Sequence, residues 1–336
     1  MSVQKPLPLS VIICTYNRAD FLKQVLESLQ SQTLPQSEFE IILIDDGSSD
    51  NTGETVRSFQ AFLPLKYFYQ GNAGLASAKN HGIFAARGRI VLFLDDDDIA
   101  APTLLEEHVK AHHEYPLDNY AVLHYTGWAP GLTVTPLMHF VTEVGCFLFY
   151  YPHIKHGDVL DYTFFWGGRS SCKRAFLIRR GVFNPVFRFG CEDIELGYRL
   201  SKYDLRVVYN SRGVSEMIRP LAFDDFCRRL IKQGRSQYVF STLHDDPAVH
   251  RWAEMEDAEE RWNKIKNLYE EKVKSARELD KVANTKLKLN LEPDEVTTRL
   301  LYNAYWWVFK ACKIKGISEA KEALEKKGGT LSVAAG

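Results

Sequence analysis

Four short apolar runs, with helical stretches between them, constrain the fold of this chain more than any other feature. Leu9–Cys14, Glu40–Ile44, Lys66–Tyr69 and Ile90–Leu94 are almost unbroken in aliphatic and aromatic residues. Runs of this length suit strands buried on both faces of a mainly parallel sheet. After the first, Phe21, Val25, Leu26 and Leu29 fall on one helical face. Before the fourth, Leu75–Ala86 reads as a helix of small residues that can pack close to a sheet. Strand and helix alternating in this order predict a doubly wound α/β fold. Such folds bind ligands beyond the carboxyl ends of their strands. With 336 residues, 45% of them hydrophobic, the chain has room for one large α/β domain, a sizeable core and an appendage. The expected division is 1–240 for the α/β domain and 241–336 for a mainly helical extension.

Bulk properties exclude several classes. A net charge of -1 argues against a nucleic-acid binder, which needs a basic excess to displace counterions. Six cysteines, Cys14, Cys146, Cys172, Cys191, Cys227 and Cys312, contain no CxxC pair. That predicts free thiols in a reducing compartment and neither a disulfide scaffold nor a zinc module. The start, MSVQKPLPLSVIIC, has a short apolar run and no small-residue cleavage site, so no signal peptide is expected. No run of about 18 apolar residues predicts a spanning helix. The expected location is cytoplasmic, with the inner membrane face as an alternative.

Polar motifs follow the strands. The first ends in CTYNR, Cys14–Arg18, where Tyr16 can stack on a nucleobase or simply turn the chain, and Asn17 can cap the next helix. The second ends in IDDGSSDNT, where Gly47 allows a tight turn and Ser48, Ser49 and Asp50 offer caps. Asp45 and Asp46 are either hydrogen-bond acceptors for a base or solvated acids of that turn. Gln70–Gly82, QGNAGLASAKNHG, places Gly71 and Gly74 ahead of a helix N-terminus that can face a diphosphate. It is not a P-loop, since GxxxxGK[ST] is absent. The fourth strand ends in FLDDDDI. Four carboxylates, Asp95–Asp98, after a buried strand repel one another unless a cation neutralises them. Oxygen donors of this kind suit Mg²⁺ or Mn²⁺ bridging phosphate oxygens. Glu192 and Asp193 sit where a helix first turn favours acids, with Gly190 just before and WGGRSSC, Trp166–Cys172, upstream. The stretch Arg228–Ser236, RRLIKQGRS, either closes over a diphosphate or forms a basic surface face.

In this order the motifs resemble those of the family 2 inverting glycosyltransferases, which have the GT-A Rossmann-like fold of nucleotide-diphospho-sugar transferases. The resemblance rests on TYN at Thr15–Asn17, DDGS at Asp45–Ser48 and NAGLASAKN at Asn72–Asn80. DDDD at Asp95–Asp98 and ED at Glu192–Asp193 complete it, and it covers roughly Pro8 to Gln237. Lys79 stands where that family usually has Arg. The resemblance implies a metal-dependent enzyme that moves a sugar from a nucleotide-diphosphate donor, UDP-linked first of all, to the hydroxyl of a glycan, lipid or small molecule. Thr15, Tyr16, Asn17, Asp45, Asp46, Gly74, Lys79, Asp95, Asp96 and Arg235 would line the donor. Asp97 with Asp95 would hold Mn²⁺ or Mg²⁺, and Asp193, with Glu192 as the alternative, would be the general base.

Two rivals remain at this level. Asp95 could be the nucleophile of a phosphotransferase or phosphatase, although Ile99 stands where a threonine or similar group is needed. The chain could also be a nucleotide-sugar-binding module without activity. A nucleotidyltransferase would need a Gly-rich N-terminal loop. Near the C-terminus, Glu254–Lys286 is densely charged and reads as a solvated arm or an oligomer contact. Leu300, Leu301, Ala304, Trp307, Val308 and Ala311 fall at helical spacings, with Tyr302, Tyr305, Trp306 and Phe309 beside them. That helix either packs on the protein or rests on an anionic membrane, with Lys310, Lys313 and Lys315 at the headgroups. The end, Lys326–Gly336, reads as frayed.

Overall fold

The computed structural model describes residues 7–291 and 294–326. The chain opens with β1 (Leu9–Thr15), α1 (Ala19–Gln30), β2 (Phe39–Asp45), α2 (Thr52–Phe59), β3 (Leu65–Tyr69), α3 (Leu75–Ala85) and β4 (Ile90–Phe93). Next come β5 (Asp98–Ala100), α4 (Leu104–Glu114), β6 (Tyr120–Trp128), α5 (Pro136–His139), β7 (Val159–Leu160) and β8 (Ser170–Lys173). Then follow α6 (Arg174–Arg180), α7 (Glu192–Ser201), β9 (Arg206–Met217) and α8 (Phe223–Leu243). The last described elements are α9 (Pro247–Trp252), α10 (Ala258–Lys288) and α11 (Glu295–Lys326).

The described strands form one sheet in the order β3-β2-β1-β4-β8-β6-β9-β5, with β7 paired to β9. The half containing β3, β2, β1 and β4 is parallel. Beyond it, β8 runs antiparallel to β4 and β6, while β6 and β9 are parallel. The chain is therefore α/β as its sequence implies, and the four apolar runs are the parallel strands. All seven residues of β2 are buried, which explains an apolar run without alternation. Leu22, Val25, Leu26 and Leu29 of α1 pack on one sheet face with Val56 and Phe59 of α2 and Leu104 and Leu105 of α4. Alternate strand residues point to opposite faces, so Ile12 points away from Val11 and Ile13 and meets α3. A Cβ on Gly82 would lie 2.4 Å from Ile12 Cγ2, which is why this helix is built of small residues. Strand order steps away on both sides of β1, so the crevice of the fold opens beyond the carboxyl ends of β1 and β4.

Packing separates two compact units. The first comprises residues up to Leu132, His153–Arg188 and Glu192–Arg219; the second comprises Thr133–Pro152, Phe189–Cys191 and the chain from Pro220. The units do not divide at residue 240. Most of helix α8 precedes that point yet packs along α11, and the two backbones meet at paired glycines. A Cβ on Gly234 would lie 2.1 Å from the Lys313 carbonyl oxygen, and one on Gly316 would lie 2.0 Å from that of Ile231. Phe140, just after α5, is also far from the C-terminus in sequence, but its ring packs 5.0 Å from Tyr302 and 5.3 Å from Tyr305.

The charged helix α10 is not a solvated arm. Its Tyr269, Val273, Ala276 and Ala283 are buried in the same cluster as Phe309 and Cys312 of α11. Tyr305 donates its hydroxyl to Asp280, and Arg277 pairs with Asp224 at 2.9 Å. The aromatic stripe of α11 is the core of this unit: Tyr305 and Phe309 are fully buried. Leu300, expected on that face, is exposed, because the buried arc centres on Leu301, Tyr305 and Val308. Lys310 stacks over Trp306 and Lys315 over Tyr269. Among the described residues no helix is long and apolar enough to cross a membrane. The expected fraying of 327–336 lies outside the described residues.

The glycine crossing gives a first prediction. Gly316→Val forces a branched side chain into the Ile231 carbonyl, and overpacking of this kind costs about 1–3 kcal/mol. A melting curve followed by circular dichroism is expected to shift down by roughly 5 °C; an unchanged midpoint would refute the close crossing.

Candidate active site

The loop after β1 is tied to the loop after β2. Asn17 has φ 52, a left-handed conformation that asparagine tolerates. Its N–H donates to Ser48 Oγ at 2.9 Å, and its Oδ1 accepts from the Ser49 N–H at 2.8 Å. It does not cap α1 as its sequence position suggests. The N-cap residue is Arg18, and the Ala19 N–H is taken by Asp50 Oδ2 at 3.2 Å. Thr15 is buried, while Tyr16, next in line, is 49% exposed. An exposed ring at the mouth of the crevice is free to stack on a planar ligand.

Asp45 and Asp46 are both buried, and each shapes a turn. Asp45 accepts from the Ser48 N–H and from the Tyr67 hydroxyl, each at 2.8 Å. Asp46 Oδ1 accepts from Gln70 Nε2 at 2.7 Å and from the Ala73 N–H at 2.9 Å. Its Oδ2 accepts from the Gly74 N–H at 2.9 Å. Gly74 is at φ +89, which only glycine adopts readily, and its N–H thereby points at Asp46 as α3 begins. The solvated-acid reading of this turn is thus replaced by a hydrogen-bonded one.

The four aspartates turn the chain from β4 into β5, and arginines from three distant segments meet them. Arg18 Nη1 lies 2.7 Å from Asp96 and 3.3 Å from Asp97 Oδ2. Arg219, just past β9, reaches the same Asp97 oxygen at 2.5 Å. Arg169 bridges Asp95 at 2.8 Å and Asp98 at 2.9 Å. Burial, with Asp97 alongside, pushes the Asp96 carboxyl up to about 6 against the pull of Arg18. Burial also works to raise Asp95, but Arg169, Lys79 and Arg18 outweigh it and hold that carboxyl below its ordinary value.

Gly167 and Gly168 form the hub between this turn and α7. A Cβ on Gly168 would fall 2.2 Å from Asp95 Oδ1, and one on Gly167 would fall 2.6 Å from Lys79 Nζ. The Gly167 N–H donates to Asp193 Oδ2 at 2.9 Å, and the Ile194 N–H donates to Asp193 Oδ1 at 2.8 Å. Glu192, beside it, is buried and salt-bridged to Lys79 at 2.9 Å. Burial, with Glu192 adjacent, raises the Asp193 carboxyl to about 6, opposed by Lys79. Burial disfavours charge on Lys79, yet Glu192, Asp193 and Asp95 more than offset it and hold the ammonium on. A carboxyl raised to about 6, as that of Asp193 is, approaches the range a general base needs.

The structure thus gathers Thr15, Tyr16, Asn17, Asp45, Asp46, Gly74, Lys79, Asp95, Asp96, Asp97, Glu192 and Asp193 in the first unit. Arg235 belongs to the second unit, where it pairs with Glu319 at 2.8 Å. Sequence reading gave no role to Arg18, Arg169 or Arg219. The first two lie inside stretches that stood out, CTYNR and WGGRSSC; nothing marks Arg219.

Whether a divalent cation suits the turn is a question of charge and donor chemistry. Among the described residues no three His, Cys, Asp or Glu side chains form a cage. Magnesium-type ions commonly take only one or two carboxylates and complete their shell with phosphate and water oxygens. Asp95–Asp98, Glu192 and Asp193 supply six carboxyl groups against four cations, Arg18, Arg169, Arg219 and Lys79. The side chain of Asp95 is 36% exposed, and Asp98 Oδ1 is buried with no hydrogen-bond partner. Burial, with Asp95 and Asp97 nearby, pushes the Asp98 carboxyl well above its ordinary value against Arg169, yet hard oxygen donors still outnumber the cations. That donor set fits a hard divalent ion, with Asp97 and Asp95 as the residues that would hold it.

A family model described as "Glycosyl transferase family 2" matches residues 10–185. Validoxylamine A glucosyltransferase of Streptomyces hygroscopicus subsp. jinggangensis is 33% identical over 220 residues, covering 59% of this chain and 52% of that protein. The chain spans about half the length of this curated relative. The crystal structure of S. aureus TarS 1–349 in complex with UDP matches with a TM-score of 0.55 at 18% identity, covering 97% of this chain and 93% of that one. A mannosyltransferase, PcManGT from Pyrobaculum calidifontis, in complex with GDP-Man and Mn²⁺, matches at 0.50 and 16%, covering 98% of this chain and 78% of that one. At such identities the likeness is one of fold.

Proposed function

Because the chain belongs to glycosyl transferase family 2, we propose that it transfers a sugar, with inversion, from a UDP-linked donor to an acceptor hydroxyl on a glycan, lipid or small molecule. The observation that carries this reading is the turn Gly167–Arg169, which touches the acidic turn on one side and Asp193 on the other. A donor-binding group and a base candidate poised near pH 6 are then held by the same three residues. The UDP and the GDP-Man with Mn²⁺ in the two structural neighbours support the donor class and the metal.

In this reading Tyr16 stacks on the base and Asp46 accepts from it, with Asp45 bracing the loop. Thr15, Asn17 and Asp96 shape the pocket wall, Asp95 meets the ribose, and Gly74 with Lys79 faces the diphosphate. A divalent ion held by Asp97 and Asp95 supplies charge stabilisation for the departing diphosphate. Asp193 takes the proton of the acceptor hydroxyl as that oxygen attacks the anomeric carbon. One base and one displacement invert that centre, the logic that separates inverting from retaining glycosidases. Arg235 is left out because Glu319 engages its guanidinium. The phosphotransferase reading has no observation in its favour, since Asp95 Oδ2 is engaged by Arg169. Membrane contact through α11 would have to do without Tyr305 and Phe309, which are buried, and rest on Trp306, the one α11 ring that is exposed among the described residues, at 38%.

The test is a thermal-shift screen of UDP-, GDP- and dTDP-sugars with and without Mn²⁺. A UDP-sugar is expected to stabilise the protein only with the metal, by about 2.7 kcal/mol at a hundred times its Kd. Stabilisation by no nucleotide sugar overturns the reading. The anomeric configuration of the product, read by NMR, is expected to be inverted; retention would sink the single displacement.

A further inference from the structure

Three histidines of the first unit, His108, His112 and His124, are buried and take no part in the site described above. They lie on one continuous line of side-chain hydrogen bonds. His112 Nε2 is 2.9 Å from Ser171 Oγ, which is 2.8 Å from His108 Nδ1. His108 Nε2 is 3.0 Å from His124 Nδ1, and His124 Nε2 is 3.1 Å from Ser215 Oγ. Ser215 Oγ donates to Asp98 Oδ2 at 3.4 Å. The line thus crosses from α4 through β8, β6 and β9 to Asp98 at the start of β5.

The link to Asp98 sets its direction. Ser215 Oγ donates to Asp98 Oδ2, the oxygen that also accepts from Arg169. The single hydroxyl proton of Ser215 is then used, and Ser215 accepts from His124 Nε2 and from Thr126 Oγ1, which lies 2.8 Å away. His124 must therefore carry its proton on Nε2 and accept at Nδ1 from His108 Nε2. His108 Nδ1 accepts from Ser171, and Ser171 accepts from His112 Nε2. The line ends at His112 Nδ1, which has no hydrogen-bond partner. In this direction the orphan is a lone pair. In the reverse direction it would be a buried N–H, and Ser215 would turn a lone pair toward the carboxylate. Buried donors are rarely left unpaired. Burial keeps all three rings neutral, with His108 pushed down to about 3.

We propose that this one-way chain, His112–Ser171–His108–His124–Ser215, is a positioning device for the donor site: it fixes Asp98 and, through the Arg169 bridge, Asp95. This rests on the donor-site reading given above. Bonds that all point the same way polarise one another in a low-dielectric interior, so the chain braces the acidic turn from behind. Ser215 and His124 are positioning residues that touch no substrate.

The probe is UDP with Mn²⁺, measured by calorimetry well below the melting temperature. Ser215→Ala removes the last link and is expected to weaken UDP binding up to roughly tenfold, as loss of one hydrogen bond does. Ser215→Thr, which keeps the hydroxyl, is expected to restore it. Separately, ¹⁵N spectra of the wild-type imidazoles are expected to show the Nε2–H tautomer for all three histidines. If Ser215→Ala lowers the melting temperature but leaves the UDP Kd unchanged, the chain is merely structural and the inference is overturned, with the donor reading intact. A wild type that binds no UDP overturns the donor reading and this role together. Nδ1–H tautomers at His108 and His124 overturn the direction of the chain whatever the binding data.

Discussion

Asp193→Asn keeps the fold and binds UDP with Mn²⁺ as tightly as the wild type, while its turnover falls about 10²–10⁴-fold, the usual contribution of a general base. The substitution is nearly isosteric. Asn retains one acceptor where Asp193 takes the Gly167 and Ile194 N–H groups. One hydrogen bond is lost, at about 1 kcal/mol, so the melting temperature drops by only a few degrees. The missing property is proton acceptance. The Asp193 carboxyl is raised to about 6, so the wild-type rate should fall as pH drops through 6, because protonation removes the base. That acid limb is expected to be absent from the residual activity of the Asn variant. Stopped assays over pH 5–8, with donor affinity measured in parallel, check both statements. A loss of under tenfold with the acid limb retained would move the base to Glu192. That outcome has a structural obstacle, since Glu192 is buried and committed to Lys79.

What the sequence disclosed and what it withheld follow from how far apart the interacting residues lie. Strands β1, β2 and β4 were legible because burial on both faces leaves no polar alternation, whereas β3 is a half-buried edge strand. The carboxyl ends of β1, β2 and β4 place TYN, DDGS and DDDD together by topology alone. Local capping was less legible. Asn17 stands where an N-cap belongs, yet the Ala19 N–H is taken by Asp50, 31 residues beyond Ala19. The arginines were invisible as partners because Arg169 and Arg219 lie 74 and 122 residues from the aspartates they reach. The second unit was misjudged for the same reason. The charge density of α10 suggests a solvated helix, but Tyr269, Val273, Ala276 and Ala283 form a narrow buried stripe among those charges. Its partners come from α5, α8 and α11, and no periodicity within α10 names them.

The acidic turn carries the other large effect. Asp97→Ala is expected to abolish the metal dependence of nucleotide binding, so that UDP affinity becomes the same in Mn²⁺ and in EDTA. Asp97 is the carboxylate on which Arg18 and Arg219 converge, and its removal leaves two guanidinium groups without that partner. The turn then loses a hard oxygen ligand and gains positive charge in one step. Loss of a direct ligand should exceed the 10–100-fold typical of outer-shell partners. Metal-free binding of the diphosphate should hold or rise, because the freed arginines attract phosphate. This opposite movement separates a metal ligand from a residue needed only for folding, whose loss would weaken binding in both conditions. Calorimetric titration of UDP into each protein, with Mn²⁺ and with EDTA, gives the four affinities required. A variant whose Mn²⁺-to-EDTA ratio matches that of the wild type would place the metal elsewhere. Asp95→Ala makes the contrast sharper. It removes the other residue assigned to the metal, so the ratio should fall as well, while Asp98 keeps Arg169 paired and metal-free binding does not rise.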